Sequence, residues 1–103
     1  MTKKYHIYQL DASNSNVIAN RKMFLNWRLL ENCGGGFDIK DYKKVYDGET
    51  DEKGKDKEIL ETLFEEFNLR HPEDFHGHSL SVSDVVVLNG TMYFCDSFDW
   101  KKI

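Results

Sequence analysis

The chain has little proline, little cysteine and no long apolar run, and each shortage closes off a class of protein. Pro72 is the single proline, so neither a polyproline recognition segment nor a Pro-rich linker is present. Cys33 and Cys95 are the only cysteines in 103 residues, and they stand too far apart for a CxxC redox motif or a zinc ribbon. No stretch approaches the ~20 apolar residues of a membrane span, and no secretory leader is recognisable. The expectation is a reduced, cytoplasmic protein with no membrane attachment. A basic stripe is missing as well. Lysines fall in scattered pairs, Lys3–Lys4, Lys43–Lys44 and Lys101–Lys102, against a formal net charge of −4. Direct nucleic-acid binding is therefore disfavoured. A mild excess of acid has the right sign for docking on a basic groove of another protein.

What is there suffices for one domain spanning 1–103, because two separate cores would each be too small to offset conformational entropy. Apolar residues make up 40% and aromatics 14%, enough for a core without a staple. KKYHIYQL (3–10) alternates polar and apolar residues and reads as a strand, at an edge where it offers pairing to a second copy. Turn formers make 11–16 a loop. A helix is expected from Asn20, with Asn20 as N-cap, with Met23, Phe24, Trp27 and Leu30 on one face, and with Gly34–Gly36 as its end. A short strand follows around Lys43–Tyr46, closed by Asp47-Gly48, and then an exposed mobile loop. Asp56 is expected to cap a second helix with Ile59, Leu60, Leu63, Phe64 and Phe67 inward and Glu58, Glu61, Glu65 and Glu66 in water. That helix stops before Pro72.

The sharpest local signal is VVVLNGTMYFCD (85–96). Asn89-Gly90 is the favoured pair for a two-residue type I′ turn, which sets Val85 opposite Phe94 and Val87 opposite Met92. Those four share a face that meets the helices, and the tail returns across the sheet with Phe98 and Trp100 packed on it. The expected fold class is α+β: a small, mainly antiparallel sheet with two helices packed on one face.

HPEDFHGHSLSVSD (71–84) invites a chemical reading, with three histidines in eight residues. His71, His76 and His78 with Asp84 have the residue types of a metal site, and a metal-dependent hydrolase is one reading. No HExxH or paired-cysteine spacing supports it, and Pro72 and Gly77 bend the segment. Ser79, Ser81 and Ser83 lack a GxSxG elbow, and neighbours on one extended segment do not converge as a triad must. The plainer reading makes these residues turn and backbone partners. No enzyme signature, catalytic residue or cofactor is expected.

IYQL (7–10), DYKKVYDGE (41–49), ETLFEEFN (61–68), HPEDFHGHSLSVSDVVVL (71–88) and YFCDSF (93–98) together resemble the YodL-like domain, a family of Gram-positive bacteria and their mobile elements. The resemblance implies that 71–88 is a fold signature, with no catalytic or metal role attached. It also implies a setting in which small acidic proteins serve counter-defence. The expectation is a non-enzymatic protein-binding inhibitor, an anti-CRISPR that blocks guide loading or DNA entry in a type II RNA-guided nuclease. Partner-binding carboxylates are expected at Asp47, Glu49, Asp51 and Glu52 on the mobile loop and at Glu58, Glu61 and Glu65 on the helix. The rival from another class is a regulatory adaptor for a host cytoskeletal, envelope or replication protein.

Overall fold

The computed structural model describes residues 2–11, 17–33, 35–75, 77–97 and 99–103. Residues 12–16 of the expected loop, Gly34 of the expected helix end, His76, Phe98 and the side chains of Asn20 and Cys33 lie outside the described residues. Strand β1 (Lys3–Leu10) is followed by helices α1 (Val17–Lys22) and α2 (Trp27–Cys33), then β2 (Tyr42–Thr50) and α3 (Asp56–Leu69). Strands β3 (Val85–Leu88), β4 (Thr91–Cys95) and β5 (Trp100–Lys102) complete the chain. The five strands form one sheet in the order β2-β1-β3-β4-β5, antiparallel at every step. The α+β class is the expected one.

The β3–β4 hairpin has the expected register, Val85 to Phe94 through Leu88 to Thr91. Asn89 and Gly90 both take positive φ, 49° and 86°, as the type I′ turn requires. Helical cover is divided between the two faces of the sheet, because β3 is apolar at consecutive positions. Val86 and Leu88 join Tyr5, Ile7 and the α3 residues Ile59, Leu60, Leu63 and Phe67 in one core. Val85 and Phe94 point the other way and pack with Leu30 of α2, flanked by Trp27, Leu25, Tyr8 and Met92.

Three local expectations are corrected. The helix expected from Asn20 is two short helices. α1 already includes Asn20, and the chain breaks at Phe24, whose φ is 65°. The residue that caps is Asn26, whose Oδ1 accepts the Leu29 amide hydrogen at 2.9 Å, while Asp96 Oδ1 accepts that of Trp27 at 3.0 Å. These acceptors satisfy donors that any helix start leaves open. Asp56 is the first residue of α3 and not its cap. Its carboxylate accepts the Tyr93 hydroxyl at 2.6 Å and pairs with Lys3 at 3.6 Å. Finally, β1 is interior, between β2 and β3, and the sheet edges are β2 and β5.

β2 is also longer than the expected Lys43–Tyr46. Its pairing with β1 shifts register between Ile7 and Tyr8, which face Tyr46 and Lys44 and leave Val45 as an extra residue. A bulge of this kind turns two consecutive side chains to one face, and Val45 and Tyr46 both pack on the α3-side core. The Tyr46 ring lies 5.3 Å from Phe67, which meets Phe75 at 4.9 Å. Phe75 thus anchors the start of the 71–84 segment beneath α3.

Candidate functional site

Two regions carry the residues singled out from sequence. The first is the segment between α3 and β3, held by Gln9 near the end of β1. Tyr5, Ile7 and Gln9 alternate on the strand, so Gln9 falls at an inward position, and it is 1% exposed. A buried amide must find partners, and those among the described residues come from 78–84. Gln9 Nε2 donates to the His78 carbonyl at 2.8 Å and to Asp84 Oδ2 at 3.1 Å, while its Oε1 accepts the His78 amide hydrogen at 3.2 Å. Gly77 makes this approach feasible: a Cβ there would fall 2.4 Å from Gln9 Oε1.

Asp84, 1% exposed, closes the segment on itself. Its Oδ2 accepts the Ser81 amide hydrogen at 2.9 Å, and its own N–H donates to the Ser81 carbonyl at 3.1 Å. Burial pushes its carboxyl up to about 7, against the lowering effect of the Ser81 and Gln9 donors. Ser83, at φ 82°, accepts the Phe24 amide hydrogen on its Oγ at 3.0 Å and the Tyr42 hydroxyl hydrogen on its carbonyl at 2.5 Å. The segment therefore clasps β1, β2 and the α1–α2 corner together.

The chemistry on offer there is limited. His78 Nε2 is 3.8 Å from Asp84 Oδ1, and its Nδ1 lies 2.7 Å from the Ser79 carbonyl. His71 sits apart, against Phe75 with ring centroids 5.8 Å away. No group of three His, Cys, Asp or Glu among the described residues is placed to hold a metal ion. Ser83 Oγ is engaged as an acceptor, and Ser81 Oγ is buried with no partner among the described residues. Cys95 is 4% exposed, and burial first, then Asp84, Glu61 and Asp96, pushes its thiol up to about 12. A neutral thiol is a weak nucleophile. Sequence reading missed Gln9 and the largely buried Lys22–Asp41 pair at 2.7 Å. The inward place of Gln9 in an alternating strand was the signal for the first.

The second region holds the expected partner-binding acids. Asp47 and Glu49 stand on β2, not on a loop, whereas Asp51 and Glu52 lie in the β2–α3 connection and are exposed. Asp47 is already paired, with His6 Nδ1 at 2.5 Å and Lys44 at 3.2 Å, and its hydrogen bond to His6 holds its carboxyl below the usual range. Glu58, Glu61 and Glu65 are exposed along one stripe of α3. The carboxylates of Glu49, Asp51, Glu52, Glu61 and Glu65 have no ion-pair partner among the described residues.

These features define a small α+β domain: a five-stranded antiparallel sheet braced by a polar clasp, with exposed carboxylates from β2 along α3 among which Lys53, Lys55 and Lys57 are interspersed. The chain belongs to the YodL-like domain family, whose model matches residues 4–103. No curated protein and no solved structure matches it. No helix among the described residues is long and apolar enough to cross a membrane.

Proposed function

We propose that the domain acts without catalysis, by binding a basic surface of another protein through the exposed carboxylates of the β2–α3 connection and the outer stripe of α3. The observation that carries this reading is the set of carboxylates there, Glu49, Asp51, Glu52, Glu61 and Glu65, left without ion-pair partners among the described residues. Unpaired acids keep their field and steer a cationic partner toward them.

The partner to test first is a type II RNA-guided nuclease, whose guide and target duplex occupy a strongly basic channel. In that setting the domain is an anti-CRISPR of a mobile genetic element, and its face competes with nucleic acid for the channel. Target cleavage by the purified nuclease is measured with the domain added before or after guide RNA, alongside direct binding. Inhibition that depends on order of addition supports action at guide loading. Absence of both binding and inhibition across several such nucleases removes that partner.

A second reading, an adaptor for a host cytoskeletal, envelope or replication protein, draws on the α1–α2 corner. Phe24 is 59% exposed and Leu29 45%. Such residues anchor contacts that do not depend on charge, so this reading expects binding that survives high salt.

A further inference from the structure

We propose that the cavity between α3 and the β4–β5 corner holds one arginine side chain of the partner protein. The proposal rests on the reading that the partner is basic, and it names the contact at which that partner is recognised. The cavity is open to solvent on one side and has a volume of about 150 Å³, comparable to that of an engineered cavity that admits a benzene-sized group. A guanidinium with its adjoining methylene is of that size.

The walls suit that group better than others. Phe64 and Trp100 meet edge to face on one side, 6.3 Å between centroids, and Glu61, Asp96 and Asp99 supply the polar lining. Aromatic rings beside carboxylates receive a flat, weakly hydrated cation, which stacks on one and donates to the other. The Glu61 and Asp96 carboxylates repel an anion. A metal ion is poorly served too, since no described group of three acids, histidines or cysteines is placed to hold one. Cys95 on the lining reports the field: after burial, Glu61 and Asp96 are among the charges that raise its thiol.

The acceptors are only partly used. Asp96 spends Oδ1 on the Trp27 and Ser97 amides at 3.0 and 2.9 Å. Its Oδ2 and the Glu61 carboxylate have no partner among the described residues. Asp99 already binds a cation at the rim, Lys57 Nζ at 2.8 Å, so the chain itself shows an ammonium held at this wall. Glu61 also belongs to the acidic stripe of α3, which makes the cavity continuous with the docking face.

The test is an NMR titration of the full chain with N-acetylarginine amide, its lysine counterpart and the neutral citrulline counterpart. Saturable shifts at the Trp100 indole and the Cys95 amide are expected with arginine, weaker ones with lysine and none with citrulline. Glu61→Gln, at an exposed position, is expected to weaken arginine binding about fivefold, the range of one solvent-exposed ion pair. Equal shifts with citrulline, shifts that miss Trp100 and Cys95, or tighter binding of lysine would overturn the assignment. No nuclease is needed, so a failed titration removes the arginine site alone. A failed nuclease assay beside a successful titration removes the nuclease and keeps the site.

Discussion

Asp84 shows how a single buried group sets both structure and pH response. An unfolded aspartate titrates near ~3.9, whereas Asp84 in the fold is raised to about 7 by burial. Between those values the folded chain holds a proton that the unfolded chain has released, so stability falls as pH rises from about 4 to about 7. The ceiling on that loss is about 4 kcal/mol. Asp84→Asn keeps an acceptor for Ser81 and Gln9 without the charge. The variant is therefore expected to gain stability relative to the parent on going from pH 5 to pH 8, read by urea unfolding at each pH. A difference that stays constant would remove burial of the charge as the cause. Asp84→Ala leaves the Gln9 and Ser81 donors open and is expected to cost about 1–3 kcal/mol at pH 5, where the parent carboxyl is protonated, and less at pH 8, where the variant also removes the buried charge. Neither Gln9 nor Asp84 was legible as part of a clasp, because the partners lie 69 and 75 residues away. The sequence shows that a glutamine stands on an inward face, but not what it meets.

At the scale of elements, what was legible was local. The hairpin follows from Asn89-Gly90 and the apolar pattern beside it, all within one short window. The α1–α2 corner follows from nothing nearby. Phe24 sits at φ 65° because its amide is held by the Ser83 hydroxyl, 59 residues on, and the helical spacing of Met23, Phe24, Trp27 and Leu30 gives no sign of it. β2 was read short for a related reason. An edge strand carries charge to discourage further pairing, and Lys43, Lys44, Asp47 and Glu49 dilute its alternation. Ser83→Ala tests the corner. Loss of one partly buried hydrogen bond is expected to cost about 1 kcal/mol overall. The Phe24 amide should exchange its hydrogen markedly faster, while hairpin amides slow or quicken only with global stability. If Phe24 exchange does not change beyond that, the hydroxyl does not hold the corner.

For the whole molecule, the question is whether net charge or its placement matters to the partner. The sequence gives the sign, −4, but placement depends on the fold, which sets α3 and α2 on opposite faces of the sheet. Glu52→Lys and Glu31→Lys make the same change in net charge at exposed sites, one beside α3 and one on α2. Long-range steering by total charge would slow association equally in both. Docking through the β2–α3 face predicts a difference. Glu52→Lys is expected to weaken binding to the basic partner about threefold to tenfold, and Asp51→Lys likewise, while Glu31→Lys changes it less than about twofold. The measurement is association and dissociation rates against the nuclease at two salt concentrations, since contacts between exposed charges fade as salt is added. Unfolding of the three variants should match the parent within about 0.5 kcal/mol, the range for surface changes away from built features. Equal weakening by Glu31→Lys and Glu52→Lys would mean that the partner senses only the sum of the charge, and the β2–α3 face would lose its standing as a docking surface.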